Sequence, residues 1–198
     1  MKDIVNFLFE MGILSKTPRS FHQLLFSGDQ SVAEHTNRVV YIGYALASLE
    51  KENPENKDLD MLKVLKMCLL HDIGEARVSD LHYVHQKYVT SHEDKAVDDL
   101  ANTLPFGEDI KKIIKEYESR TSKESIIAKD ADTLEFILSL KEQIDTGNTR
   151  AESWVRSAVK RLKTKLAKEI AVEILKTPSD DWWFHDKDDK WWINRGKE

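Results

Sequence analysis

Apolar residues recur every three or four positions along most of the chain, and no segment alternates with a period of two. This spacing puts apolar side chains on one face of a helix, so it predicts an all-α fold. The helices are expected at 4–14, 31–49, 61–70, 91–104, 107–119, 121–146 and 149–175. Loops are expected where the pattern is missing, at 17–30, 50–58 and 75–88.

Local sequence signals mark the ends of some of these helices. Ser31 and Glu34 have the spacing of a capping box, and Thr121 and Glu124 repeat that spacing further along the chain. Gly147 is expected to be the C-terminal cap of the long helix that Thr121 introduces. The chain is therefore expected to fold as a bundle of capped helices.

Two of the predicted helices direct histidines towards the interior. His35 occupies a step of an apolar stripe, and His71 and Asp72 stand side by side after the apolar run 61–70. An imidazole beside a carboxylate suits a divalent cation, which makes hydroxide from water near neutral pH. The pair therefore indicates metal-dependent hydrolysis. The alternative is an ordinary helix end whose histidine is compensated by a neighbouring charge.

A catalytic metal site needs three or more protein ligands and an open position for water. The long helix 121–146 offers two candidates for a further ligand, Asp130 and Asp132. The helical wheel favours Asp130, because it lies closer to the apolar arc that contains Ile127 and Leu134. Spacing alone leaves both aspartates open.

Composition narrows the class of protein. The chain has 198 residues, a formal net charge of −5 and one cysteine, Cys68, which lies in an apolar run. This length suits a single hydrophobic core, and a lone buried thiol excludes internal disulfides. With no basic block and no apolar stretch of membrane-spanning length, neither a nucleic acid polymer nor a membrane is an expected partner. We expect a soluble, cytoplasmic protein that handles a small ligand.

The end of the chain differs from the rest. Residues 178–198 contain four of the five tryptophans, in the pairs Trp182-Trp183 and Trp191-Trp192. Aromatic residues at this density are typical of contact surfaces. We expect a core at 1–176 and a tail at 177–198 that packs on the core or on a dimer mate. A non-catalytic module that binds another protein through this tail is the alternative.

The order of the motifs resembles the HD-domain metal-dependent phosphohydrolase superfamily over about residues 19–146. Within it the chain looks most like the 5'-deoxynucleotidase branch. The matching motifs are Pro18-Arg19, Ser31-Val32-Ala33-Glu34-His35, His71-Asp72-x-x-Glu75 followed by Asp80, and Ala131-Asp132-x-Leu134. The resemblance implies a single HD-domain helical bundle, a homodimer, and removal of phosphate from (deoxy)ribonucleoside 5'-monophosphates.

The resemblance also implies roles for individual residues, with one divalent cation (Co, Mn, Zn, Fe or Mg) at the centre. The implied cation ligands are His35, His71, Asp72 and Asp132. Asp130 is the alternative to Asp132 as the fourth ligand. Glu75 would orient or deprotonate the attacking water, and Asp80 would contact the sugar or protonate the leaving oxygen. Arg19 would bind the phosphate with its planar, permanently charged guanidinium group.

Two positions depart from the family pattern. Many relatives place a tryptophan against the sugar just after the arginine, and here Phe21 is the aromatic residue expected to provide that face. Ser79 stands before Asp80 where glycine is more usual, a change that could re-aim the carboxylate without removing it.

Three further histidines leave alternatives open. His82, His85 and His92 follow the His-Asp pair in a polar segment, where they are expected to be surface or substrate-loop residues. In other HD-domain proteins, extra histidines hold a second metal. That arrangement would indicate hydrolysis of cyclic dinucleotides or a di-iron oxygenase. Hydrolysis of deoxynucleoside triphosphates is a further alternative.

Overall fold

A computed structural model describes residues 1–195, and the regular structure within them is helical apart from one isolated bridge between Pro18 and Ser31. The α-helices are α1 (Lys2–Met11), α2 (Phe21–Leu25), α3 (Val32–Glu52), α4 (Met61–Leu70), α5 (Glu75–Val78), α6 (Glu93–Ala101), α7 (Gly107–Ser119), α8 (Lys123–Asp145), α9 (Ala151–Val159), α10 (Lys165–Lys176), α11 (Asp181–Phe184) and α12 (Lys190–Asn194). Short 3-10 helices lie at Gly12–Ser15, Pro54–Asn56 and His85–Lys87. The predicted all-α class is confirmed. None of the described helices is long and apolar enough to cross a membrane.

The bundle is organised around α3 and α8. Helix α3 packs against α4 and α8, and α8 also contacts α7, α9 and α10. The main core is formed by apolar side chains from these helices, among them Val39, Leu46, Val64, Met67, Leu134 and Ile137. The three helices that carry or precede the predicted ligands therefore meet at the centre of the fold.

The contact between α3 and α4 depends on Gly43. A Cβ atom at this position would overlap Sγ of Cys68, at a separation that real Cβ atoms do not adopt. Cys68 itself is fully buried, as expected for a small apolar side chain. Glycine thus lets the helices that present His35 and His71 approach closely.

One of the two predicted capping boxes is present. Ser31 Oγ accepts a hydrogen bond from the backbone N–H of Glu34, and the Glu34 carboxylate accepts one from the backbone N–H of Ser31 at 2.7 Å. The box predicted at Thr121 is wrong, because the N-cap is the next residue and no reciprocal side-chain bond forms. Ser122, in an extended conformation, caps α8 by accepting from the N–H of Ser125 at 3.2 Å.

The helix predicted at 149–175 is in fact two helices, α9 and α10, separated by the turn 160–164. Asp130 of α8 holds this turn. Its carboxylate accepts hydrogen bonds from the backbone N–H groups of Lys163 and Thr164 at 2.9 and 2.7 Å, and from the Thr164 hydroxyl at 2.7 Å. A leucine inside the turn continues the apolar spacing, which hides the break from a periodicity analysis.

Two predicted loops contain short helices. The segment 17–30 includes α2, and the segment 75–88 includes α5 and a 3-10 turn. Helices of four or five residues are stabilised by tertiary contacts rather than by their own hydrogen bonds, so periodicity does not reveal them.

The tail folds after α10 into α11 and α12. The backbone N–H of Ser179 donates a hydrogen bond to the Asp145 carboxylate at 2.8 Å. Trp183 packs against Trp192, with ring centroids 5.4 Å apart, and stacks on Phe184 at 5.1 Å. The tryptophans contact one another, and the boundary between residues 176 and 177 stays a prediction.

Candidate metal centre

The four predicted metal ligands converge where α3, α4 and α8 meet. The Nε2 atoms of His35 and His71 lie 3.2 Å apart. Oδ1 of Asp132 is 3.3 Å from Nε2 of His35 and 3.9 Å from Nε2 of His71. Oδ2 of Asp72 is 3.4 Å and 3.2 Å from the same two nitrogens. The ligand atoms of His35, His71 and Asp132 thus all lie within 4.8 Å of one another, and Asp72 Oδ2 lies within 3.4 Å of both imidazole nitrogens.

Hydrogen bonds on the outer sides of both imidazoles fix which nitrogen faces this point. Nδ1 of His71 donates to the backbone carbonyl of Cys68 at 2.9 Å, and Nδ1 of His35 donates to Glu135 at 2.6 Å. Each ring therefore directs Nε2 towards the centre, where an unprotonated Nε2 offers its lone pair. Lone pairs that face one another repel unless a cation lies between them, so this donor set fits a divalent metal ion.

The pKa of His35 shows how strongly this point favours positive charge. Burial and the nearby Arg19 both lower the pKa of His35, yet hydrogen bonds with surrounding carboxylates raise it well above its ordinary value. Those carboxylates are Asp132, Asp72 and Glu135. When no cation is bound, a proton on Nε2 therefore takes the place that a metal would occupy.

Glu135 is the residue of this centre that the sequence analysis missed. It is fully buried and accepts hydrogen bonds on Oε1 from Gln30, Arg38 and Ser139. Burial raises its pKa, but the hydrogen bond and charge of His35 and the charge of Arg38 outweigh burial and lower the pKa to about 2. The hint in the sequence was a glutamate inside the apolar run 134–138, which marks a buried carboxylate but does not identify its partner.

The structure separates the two candidate aspartates of α8. Asp130 faces away from the centre and caps the turn before α10, whereas Asp132 faces the histidines. The second oxygen of Asp132 is also held, by the Lys129 ammonium group at 2.6 Å and the Tyr117 hydroxyl at 3.4 Å. The helical wheel favoured Asp130 because it is indeed buried, but as a cap.

Arg19 lies beside the predicted ligands, on the side where a cavity opens. Its Nη1 is 3.3 Å from Oδ2 of Asp72 and 3.6 Å from Oδ2 of Asp80. The Asp80 carboxylate also accepts a hydrogen bond from the backbone N–H of Ser20 at 2.9 Å. Phe21 is buried and its ring centroid lies 6.0 Å from Cζ of Arg19. Arg19, Phe21 and Asp80, predicted as substrate residues, therefore lie together.

Ser79 adopts a backbone conformation that normally requires glycine. Its φ is +65° and its ψ is 164°, a region where a Cβ atom is strained. The next residue, Asp80, nevertheless keeps its contacts with Ser20 and Arg19. The serine before Asp80 therefore strains the backbone without displacing the Asp80 carboxylate.

Glu75 begins α5, one turn after His71. Its Oε2 atom is buried and has no hydrogen-bond partner among the described residues. Burial and the charges of Asp72 and Asp80 raise the pKa of Glu75 to about 10. A bound cation acts in the opposite direction, because its positive charge favours the carboxylate. The protonation of Glu75 is therefore linked to the occupancy of the centre.

A cavity of about 240 Å³ opens beside the predicted ligands. Its walls combine carboxylates, basic side chains and aromatic rings. They are formed by Arg19, Ser20, Phe21, Asp72, Asp80, Leu81, His82, Tyr83, Gln86, Lys129, Asp132, Thr133, Phe136 and Arg161. An anionic ligand with an apolar part fits this mixture of groups.

Of the additional histidines, His82 lines the cavity and packs against His85. The rings of His82 and His85 stack at 3.6 Å, and Nδ1 of His82 accepts from the backbone N–H groups of Val84 and His85. Within residues 1–195, the one cluster with metal-binding geometry contains His35, His71 and Asp132. It includes none of His82, His85 and His92.

Comparisons with known proteins show what this chain is similar to. The model of the HD domain family matches residues 11–174. The chain is 33% identical over 119 residues to the protein named 5'-deoxynucleotidase HDDC2 from Dictyostelium discoideum. That match covers 57% of this chain and 62% of the relative, which is less than two thirds of the relative's length.

Solved structures show the same architecture. A conserved hypothetical protein from Pyrococcus furiosus superposes with a TM-score of 0.75 at 27% identity, covering 87% of this chain and 99% of that protein. A protein from Magnetospirillum magnetotacticum MS-1 titled "Predicted metal-dependent phosphohydrolase" superposes with a TM-score of 0.69 over 88% of this chain and 93% of that protein. Its identity is 21%, so this second likeness concerns the fold alone.

Proposed function

This chain belongs to the HD domain family, and from that premise we propose that it is a metal-dependent phosphohydrolase acting on deoxyribonucleoside 5'-monophosphates. The observation that carries the proposal is the cluster of His35, His71 and Asp132, with Asp72 next to both imidazoles, beside a cavity that Arg19 lines. The similarity to a protein named 5'-deoxynucleotidase supports the choice of substrate.

We propose that the chain binds one divalent cation. The residues that would hold it are His35, His71, Asp72 and Asp132. When bound, such a cation lowers the pKa of a coordinated water and polarises a phosphate oxygen. Imidazole and carboxylate donors together suit Mn, Fe, Co or Zn, and Mg is the further candidate.

Arg19 is proposed to bind the phosphate group. Its guanidinium group is permanently charged and forms paired hydrogen bonds with phosphate oxygens. In the described structure this group spans Asp72 and Asp80, so it lies between the metal centre and the cavity. Phe21, on the cavity wall next to Arg19, is proposed to face the deoxyribose.

Two carboxyl groups are proposed to divide the proton transfers. Glu75 is buried near Asp72. It is proposed to accept the proton of the attacking water once a bound cation has lowered the pKa of the Glu75 carboxyl group. Asp80 lines the cavity and is proposed to contact the sugar or to protonate the leaving 5' oxygen. Their separate environments, one buried and one facing the cavity, favour separate roles.

We further propose that the protein works in the cytoplasm as a homodimer. A lone, buried cysteine suits a reducing compartment. Exposed tryptophans in the tail, such as Trp182 and Trp191, support self-association. Size-exclusion chromatography with light scattering measures the number of chains directly.

Phosphate release from a panel of nucleotides tests the proposed function. The panel contains deoxy- and ribonucleoside monophosphates, deoxynucleoside triphosphates and a cyclic dinucleotide, each with Co²⁺, Mn²⁺, Fe²⁺, Mg²⁺ and Zn²⁺. We expect phosphate release from the deoxynucleoside monophosphates, abolished in His71→Ala and retained in His185→Ala, which changes an exposed histidine of the tail. Release of tripolyphosphate from triphosphates alone, or turnover of the cyclic dinucleotide alone, would overturn the proposed substrate.

A further inference from the structure

The cavity beside the metal centre has a second, aromatic end. This end is lined by Tyr83, from the loop after α5, by Phe136 of α8, and by Arg161, which follows α9. Phe136 comes four residues after Asp132 on the same helix, a distance of about 6 Å along the helix axis. The aromatic end thus lies about one helical turn from the metal centre, within the same cavity.

Arg161 connects the parts of the aromatic end. Its Nη2 donates a hydrogen bond to the Tyr83 hydroxyl at 2.6 Å. Its Cζ lies 5.6 Å from the ring centroid of Tyr83 and 5.9 Å from that of Phe136. Trp154 of α9 supports both rings, at centroid distances of 5.7 and 6.3 Å. Two aromatic rings and a guanidinium group in mutual contact therefore line this end of the cavity.

We propose that Tyr83, Phe136 and Arg161 form the subsite that binds the nucleobase of the substrate. The proposal rests on the proposed function, since it assumes that the phosphate lies at Arg19 and the metal centre. Bases stack on aromatic and guanidinium planes, and this stacking tolerates different bases because every base has a flat face. The N–H groups of Arg161 also suit the acceptor atoms at the edge of a base.

The arrangement favours a base over a second phosphate group. Besides Arg19 and Arg161, the cavity is lined by one more basic residue, Lys129, whose ammonium group is already paired with Asp132 at 2.6 Å. Arg161 bonds instead to the neutral hydroxyl of Tyr83 and faces aromatic rings, which suits a planar ligand of low charge. The deoxyribose would span the helical turn between the two ends of the cavity.

A comparison of two substrates tests the subsite. Deoxyribose 5-phosphate offers the same phosphate and sugar as a deoxynucleoside monophosphate but has no base. We expect wild type to have the higher kcat/KM on the nucleotide, and Tyr83→Ala and Arg161→Ala to reduce the ratio of the two kcat/KM values roughly tenfold. Tyr88→Ala and Arg156→Ala, which change exposed residues outside the cavity, are matched controls that keep the wild-type ratio.

Binding of thymidine, which has a base but no phosphate, provides a readout that does not depend on catalysis. Calorimetry should detect thymidine binding that weakens in Tyr83→Ala. If thymidine binds in this way but no monophosphate is hydrolysed, the subsite stands and the proposed function fails. If wild type hydrolyses both phosphates equally well, or if the variants leave the ratio unchanged, the subsite is wrong and the function stands. If Arg161→Ala loses activity on triphosphates only, Arg161 is a phosphate ligand. That result would also overturn the subsite.

Discussion

His35 is held by a buried carboxylate at one ring nitrogen and faces lone-pair donors with the other. The sequence revealed His35, because a histidine on an apolar helical stripe needs a partner. It did not reveal the partner, Glu135, which lies 100 residues away and meets His35 only once α3 and α8 pack. A site residue is thus predictable when the pattern of its own helix marks it. It is not predictable when its role depends on a contact between two helices that are distant in sequence.

Glu135→Gln is predicted to weaken cation binding roughly 10- to 100-fold, because the glutamate orients His35 and increases the basicity of its Nε2. Calorimetric titration with Co²⁺ measures the change. Glu142→Gln is the matched control, since Glu142 also bonds Arg38 but is about half-exposed on α8 and does not contact His35. Unchanged affinity in Glu135→Gln would contradict the role of Glu135.

Ser79→Gly is predicted to stabilise the protein by about 1 kcal/mol, because glycine adopts a positive φ without strain and this gain exceeds the added entropy of the unfolded chain. Urea unfolding measures the free energy. Ser79→Ala keeps the Cβ atom and should give no gain. Equal stability of the two variants would show that Ser79 is not strained.

The long helices were predictable because their apolar spacing extends over several turns. The break between α9 and α10 was not, since it depends on Asp130 reaching across from α8. Asp130 and Asp132 are two positions apart, which turns their side chains about 200° around the helix axis. One can therefore face the metal centre while the other caps the turn, an assignment that only the packed helices reveal.

Gly43→Ala is predicted to destabilise the protein by roughly 1–3 kcal/mol, because the new methyl group would overlap Sγ of Cys68 and push α3 away from α4. Urea unfolding again provides the measurement. Gly12→Ala is the control, since a Cβ atom there meets nothing within 4 Å. The loss should shrink in a Cys68→Ala background. If Gly43→Ala lowers the free energy of unfolding equally in the Cys68→Ala protein, the new methyl group clashes with an atom other than Sγ of Cys68.

At the scale of the whole molecule, the sequence was sufficient for the helical class, which follows from the apolar spacing, and for the HD domain family, which follows from the order of the motifs. The sequence was not sufficient to predict the contacts of the tail, because the tail tryptophans do not follow a helical repeat. In the structure Trp183 and Trp192 pack on each other, and the backbone of Ser179 bonds Asp145.

Truncation after Lys176 is predicted to leave the core folded with a stability loss of about 1 kcal/mol, the contribution of a hydrogen bond such as that between Ser179 and Asp145. It is also predicted to convert the proposed dimer into a monomer. Thermal unfolding and light scattering check the two outcomes. Aggregation or unfolding of the truncated chain would show that the tail belongs to the core.

The central claim is that the protein hydrolyses a deoxynucleoside 5'-monophosphate with one cation, which four side chains from three regions of the fold would hold. The most direct test measures the rate of phosphate release while Co²⁺ is added stepwise to metal-free protein. We predict a rise that ends at one equivalent of Co²⁺ per chain in wild type and is absent in Asp132→Asn. A rise that continues to two equivalents, or full activity in Asp132→Asn, would contradict the claim.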